Sequence, residues 1–229
     1  MGDIWYFDNA DLYEVLCPHK LKEFAKNHFE EFGKGDFIYF KEDPSTTIYL
    51  VSKGKVRIIN YTDTGEEMVK SVLSKGEIFG EMALMGETER KDFAVCATGK
   101  TSICRINVDD LQHLMRNHNK INLKIYKIIG LRLRKIERKL EAMLFKDVRS
   151  RLIDFLRDLV EERLDGPITH PPVELENHFT QKDIADLIGA RRETVTAMLN
   201  SMKDEGLLEY GRKSIVIRCP EILKVPGKE

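Results

Sequence analysis

From Phe32 to Ile106 apolar and polar residues run in short, alternating stretches. "DFIYF", "TIYLV", "KVRIINY", "EMVKSVL", "FAVCAT" and "TSICRI" are rich in β-branched and aromatic residues. The turn signals "EDPS", "SKGK", "TDTGEE", "SKGE" and "TGKT" separate them. Short strands at such regular spacing predict an antiparallel roll or barrel ending near Ile106. On both sides the period becomes helical. Leu12, Val15, Leu16, Leu21, Phe24 and Ala25 place one or two short helices over 10–29, and "NVDDLQHLM" restarts helical spacing with Asn107 as N-cap.

A long helix is predicted over about 120–145. Tyr126, Leu133 and Leu140 repeat every seven residues, and so do Ile129, Ile136 and Met143. The two series make the alternating three/four stripe of a two-stranded coiled coil, so this helix is expected to pair two copies of the chain. Gly130 interrupts it at a cost of about 1 kcal/mol relative to Ala. A further amphipathic helix covers 148–164, with Leu152, Phe155, Leu156, Leu159 and Val160 inward. The Pro- and Gly-containing stretch "LDGPITHPPVELENH" ends it.

"FTQKDIADLIGARRETVTAMLNSMKDEGLLEYGRKSIVIR" is the most informative stretch. Thr180 is an N-cap candidate, with Asp183 placed to complement the helix N-terminus. Ile184, Ala185 and Ile188 face a core, and Gly189 ends the first helix. The second runs from Arg192 to about Asp204. Val195, Leu199 and Met202 point inward; Arg192, Glu193, Thr196, Ala197, Asn200 and Lys203 point outward. Gly206 ends it, and a hairpin follows that turns at Gly211. Two short helices, a glycine turn and a trailing hairpin predict a winged helix-turn-helix. Its second helix would enter the major groove, where Arg192 fits a bidentate contact to guanine and Glu193 accepts from a cytosine amino group. Thr180, Gln181, Lys182, Arg191 and Thr194 are expected near backbone phosphates. Two arginines opposing a helix dipole make better sense against phosphate than against protein.

Charge sharpens the picture. Among 229 residues the formal net charge is only −1. Residues 120–151 nevertheless carry 11 basic and 3 acidic side chains, whereas residues 1–119 carry 15 and 20. Cys17, Cys96, Cys104 and Cys219 are scattered, without a CxxC pair, and no HxH or HExxH occurs. This predicts reduced thiols in a cytoplasmic protein without a metal centre. No apolar run approaches 18 residues, and "MGDIWYFDNADLYEV" lacks the basic start of a signal peptide, so no membrane partner is expected. No nucleophile–base pair or metal cluster points to catalysis, so an enzyme is not expected.

The helix-turn-helix stretch resembles the DNA-binding domain of the CRP/FNR family of bacterial transcription regulators. "FGKGDFIYFKEDPSTTIYLVSKGKVRI" and "GEIFGEMALMGETER" resemble that family's β-roll sensor, and "FKDVRSRLIDFL" resembles its hinge. The resemblance runs from about Phe32 to Ile217. It implies an α+β chain: an N-terminal double-stranded β-helix of jelly-roll, cupin-like form, a long dimerisation helix, and a C-terminal winged helix-turn-helix. It also implies a homodimer on a twofold-symmetric operator and contact with RNA polymerase, for which "ITHPP" at 168–172 resembles the exposed loop of some members. In cyclic-nucleotide-binding relatives the loop "FGEMAL", with Gly80, Glu81, Met82 and Ala83, meets the phosphate and ribose, and Arg90 pairs with the phosphate. Lys91 and Arg132 match further positions facing the effector.

Three departures accompany the resemblance. Lys91 and Asp92 replace the small residues usual after Arg90, and an inward Asp92 would repel phosphate. Ile136 and Glu137 fall where relatives that bind cyclic AMP carry a Thr–Ser pair for the adenine. Ala197 replaces a second base-reading arginine. The expected organisation is a β-roll effector domain over 1–119, a dimerisation helix and hinge over 120–146, and a DNA-binding domain over 147–229. The departures leave three outcomes for the pocket: cyclic AMP, another small anion, or no effector at all. The alternative is a cyclic-nucleotide-type regulatory module acting on protein partners.

Overall fold

The computed structural model describes residues 29–117, 119–163 and 172–223. The expected helices over 10–28, Cys17, and residues 168–171 of the Pro-rich loop lie outside them. Two compact units divide within the long helix, at Met1–Gly130 and Leu131–Glu229.

In the first unit eight strands form two four-stranded antiparallel sheets. One has the order β1 (Phe29–Phe32), β8 (Thr101–Asn107), β3 (Thr47–Lys53), β6 (Ile78–Phe79). The other runs β2 (Phe37–Tyr39), β7 (Phe93–Cys96), β4 (Val56–Tyr61), β5 (Glu67–Leu73). Register puts Ile48 opposite Ile106 and Leu50 opposite Cys104, so their side chains share the face that packs on the helix residues Val108, Leu111 and Ile125, while Tyr49, Val51 and Ile103 face the second sheet. Ile48, Leu50, Ile78, Cys104 and Ile106 pack as one cluster, and Tyr39, Tyr49, Val51, Val56, Phe79 and Ile103 as another. Phe29, expected in a helix, instead opens β1 opposite Cys104. Pairing with β8 decides its state where local spacing pointed the other way. Asn107 caps helix α1 (Val108–Asn117), its Oδ1 accepting from Asp109 N at 2.8 Å.

Helix α2 (Asn119–Phe145) spans the predicted dimer helix. Asp147 stops the chain from running on helically and caps α3 (Val148–Arg163), its Oδ1 accepting from Ser150 N at 2.7 Å. In the second unit α3 buries Leu152, Leu156 and Val160, each contributing roughly 1.5–3 kcal/mol. They meet Ile184, Ala185 and Ile188 of α4 (Gln181–Ile188), and Val195, Leu199 and Met202 of α5 (Arg192–Asp204) complete the same core. Strands β10 (Leu208–Tyr210) and β11 (Ser214–Ile217) form the predicted hairpin. A third strand, β9 (Val173–Glu176), pairs with β11 inside the stretch expected to be loop. Its "VELE" alternation, with Val173 and Leu175 buried and the glutamates exposed, carries the period-two signal that the neighbouring prolines obscured.

Candidate functional site

The second unit builds a helix-turn-helix from local chemistry. Thr180 Oγ1 accepts from Asp183 N at 3.1 Å, and Asp183 Oδ2 accepts from Thr180 N at 2.8 Å, a reciprocal capping box that fixes where α4 starts. Gly189 ends α4 at φ 65°. A Cβ there would lie 2.6 Å from the methyl carbon of Met143, which a rotation of that flexible side chain can relieve, so it is the left-handed conformation that demands glycine. Arg151 Nη1 donates to the Gly189 carbonyl at 3.1 Å, fastening the turn to α3. The wing is tied to the entry of α4: buried Asn177 donates from Nδ2 to Gly211 O at 2.6 Å, and Tyr210 OH donates to Phe179 O at 2.8 Å.

On this frame α5 presents Arg191, Arg192, Glu193, Ala197, Asn200 and Lys203 to solvent, with Thr194 and Thr196 half-buried. The side chains of Arg191, Arg192 and Glu193 make no hydrogen bond or ion pair with the described residues. Arg191, at the N-cap, provides no side-chain cap. Two free guanidinium groups thus stand at the positive end of a helix dipole, an arrangement that an anionic partner stabilises. On α4, Gln181 is half-buried and Lys182 pairs loosely with Asp186 at 3.7 Å. Lys203 lies beside the wing, on a cleft of about 350 Å³ shared with Glu209, Tyr210, Gly211, Ser214 and Val216.

The far end of α5 is anchored by residues that the helical pattern alone did not single out. Arg149 at the start of α3 grips Glu205 in a two-pronged bond, one prong at 2.8 Å. Ser201 adds a third hydrogen bond at 2.8 Å. Arg149 and Ser201 together pull the Glu205 carboxyl down to about 2.

In the first unit, Phe79 leads into Gly80, which holds φ 75° before a 3₁₀ turn over Glu81–Met85. A Cβ on Gly80 would sit 2.6 Å from Arg90 Nη1 and 3.1 Å from Thr47 O. Arg90 is buried. Its Nη1 donates to Gly80 O at 3.2 Å and its Nη2 to Thr47 O, while Nε is buried without a partner among the described residues. The guanidinium lies 4.7 Å from the Tyr39 ring centre and 5.4 Å from that of Tyr49. Asp92 accepts from Tyr39 OH at 2.9 Å and from Lys70 Nζ at 3.0 Å. Burial, and then the charge of Asp92, push the Tyr39 hydroxyl well above its ordinary range, so it remains a donor. Lys91 is exposed and pairs with Glu87 at 3.6 Å. Glu81 is half-buried, Met82 exposed and Ala83 buried in the core. These residues gather around one loop; Arg132 belongs to the second unit, half-exposed on α2.

The helical stripe is bare along its whole length. Tyr126, Ile129, Leu133, Ile136, Leu140 and Met143 are between 39 % and 66 % exposed, too much apolar surface in one line for a solitary helix. Met143 differs from the other five, because its methyl group also reaches Gly189. Among the described residues no cluster of three or more His, Cys, Asp or Glu side chains is placed to hold a metal ion. No helix among them is long and apolar enough to cross a membrane.

Comparison with known proteins agrees with both halves. Residues 29–118 match the cyclic nucleotide-binding domain family, and residues 150–225 match the Crp-like helix-turn-helix family. The chain is 28% identical over 217 residues to the cyclic AMP receptor protein of Thermus thermophilus, covering 94% of this chain and 95% of the relative. It is 24% identical to the global nitrogen regulator of a Synechocystis species, covering 85% and 86%. Among solved structures, the c-di-GMP-responsive global regulator CLP of Xanthomonas campestris aligns with a TM-score of 0.66 at 26% identity, covering 85% of this chain and 95% of CLP.

Proposed function

The chain belongs to the CRP/FNR family of DNA-binding transcription regulators, and on that footing we propose how it reads its operator. Two copies pair along the bare stripe of α2 and set their α5 helices into successive major grooves, about 34 Å apart on a twofold-symmetric site. Arg192 donates both prongs to a guanine and Glu193 accepts from a cytosine amino group, so each half-site contains a fixed G·C step. Thr180, Gln181, Lys182, Arg191, Thr194 and Lys203 hold the phosphates on either side. Ala197 has no donor to offer the next base, which leaves that position relaxed or read through a thymine methyl group.

The observation that carries this reading is the exposure of Arg191, Arg192 and Glu193 without any partner among the described residues, at the dipole end of a helix fixed by the capping box. Two such arginines at a helix N-terminus suit a phosphate backbone better than an ordinary protein surface. Selection from random duplexes tests it: a palindrome with one G·C step in each half and a relaxed base opposite Ala197 is expected. Arg192→Ala should cost about 1–3 kcal/mol on the selected site and little on random DNA. Equal losses on both would refute the assignment.

The β-roll is the sensing half, and its effector is a small anion drawn to Arg90, with Gly80, Glu81, Met82, Ala83 and Lys91 as its surroundings. Relatives of similar identity are named for cyclic AMP, for nitrogen and for c-di-GMP, so kinship alone selects none of these. Buried Arg90 is the cation that supports an anion there, with Asp92 two residues away. Calorimetry with cyclic AMP, cyclic GMP and common anionic metabolites, repeated on Arg90→Ala, decides it; heat that persists unchanged in Arg90→Ala excludes this site. RNA polymerase is the further partner that a regulator of this build engages, and loss of activation in vitro on changing residues 168–172 is the expected sign.

A further inference from the structure

Thr196 and Gln181 meet across the helix-turn-helix. Thr196 Oγ1 lies 2.6 Å from Gln181 Oε1 and 2.9 Å from the carbonyl of Arg192, one turn earlier on α5. The hydroxyl has a single hydrogen, and both neighbours are acceptors. Distance decides where it goes. A separation of 2.6 Å belongs to O–H···O bonds, whose usual range is about 2.5–3.0 Å, and is shorter than the roughly 2.7–3.2 Å of N–H···O bonds. The hydrogen therefore sits on the bond to Gln181, and the amide is held with its oxygen facing Thr196. The ordinary helical back-bond of a threonine to the residue four before it is the weaker contact.

With Oε1 turned to Thr196, Nε2 is the donor end left over, and one of its hydrogens points opposite to that oxygen. Nε2 makes no hydrogen bond with the described residues and is not among their buried unsatisfied atoms. Gln181 is the first residue of α4, next to Thr180 and Lys182, on the helix expected to run over the DNA backbone. Building on the operator reading above, we propose that Thr196 is a positioning residue: it holds the Gln181 amide so that Nε2 is a fixed donor to a phosphate oxygen, and itself offers no donor to a base. This changes the role expected of Thr196 from its outward position alone.

The chain has only two glutamines, Gln112 and Gln181, so their side-chain amide signals are readily told apart by nitrogen NMR. In the free full-length protein, Thr196→Val, which keeps the shape and removes the hydroxyl, should shift the Gln181 amide signals and narrow their separation. Thr196→Ser should restore them. With duplex DNA, Thr196→Val should weaken operator and random sequence alike by about threefold to tenfold, the worth of one hydrogen bond. In a Gln181→Ala background it should add little. Unmoved amide signals, identical behaviour of the Val and Ser variants, or a loss confined to the operator would each overturn the proposal. Failure of the unaltered protein to bind any duplex would instead overturn the operator reading, while the NMR comparison would still judge the Thr196–Gln181 bond.

Discussion

Asp92 and Tyr39 are joined by a hydrogen bond of 2.9 Å that closes one wall of the β-roll, and Tyr39 in turn lies under the guanidinium of Arg90. A negative charge thus stands two residues from the arginine proposed to draw an anion. It opposes any phosphate placed there, and Lys70 at 3.0 Å only partly offsets it. Asp92→Ser should raise affinity for cyclic AMP by roughly tenfold, about 1.4 kcal/mol, as measured by calorimetry. The gain should vanish when Arg90→Ala is added. Equal affinities with and without Asp92 would show that its carboxylate is irrelevant to the ligand.

Much of the fold is legible in residue order, and the exceptions have a physical pattern. The capping box at Thr180 and Asp183, the glycine turn and the inward face of α5 are local, set within a few residues. The inward turn of Arg90 is not. Its acceptor at Thr47 lies 43 residues away in sequence, and the Tyr39–Asp92 bond spans 53. Pairing between strands distant in sequence, as of β2 with β7, brings such groups together. Strand β1 follows the same logic, because Phe29 becomes extended through its pairing with Cys104.

Gly189 concentrates several demands at one point. Its φ of 65° is unfavourable for a residue with a Cβ, and an added Cβ would meet the Met143 methyl at 2.6 Å. Gly189→Ala should destabilise the second unit by about 1–3 kcal/mol, read as a lower denaturant midpoint. Adding Met143→Ala should recover only the part due to crowding. Full recovery would mean that the backbone conformation carries no penalty.

The pair Arg149–Glu205 gives stability a pH signature. The folded carboxyl is held near 2, whereas an unperturbed glutamate titrates near 4.5. A depressed pKa contributes stability that is fully present above the unfolded value and is lost as pH falls from about 5 toward 2. Glu205→Gln should therefore unfold more readily than the unaltered protein at pH 7, with the difference shrinking through that acid window. The pair is exposed, so added salt should shrink it too. A difference that stays constant between pH 7 and pH 3 would assign the effect to lost packing instead of charge.

The stripe on α2 makes the firmest demand on quaternary structure. Leu133, Ile136 and Leu140 are each more than half exposed, and burying the exposed half against a second helix returns about half of the roughly 1.5–3 kcal/mol that full burial of such a side chain is worth. Charge placed in such a seam is costly, since an unpaired ion in an apolar interface loses its hydration. Leu133→Lys, adding to the basic run around Arg132, Arg134 and Lys135, should convert the dimer to monomer in sedimentation at micromolar concentration. Ile136→Leu should leave it paired. Operator affinity should fall steeply with Leu133→Lys, because one half-site alone supplies only half of the phosphate and base contacts, while each unit keeps its own melting transition. A Leu133→Lys protein that sediments as a dimer would move the interface away from this helix.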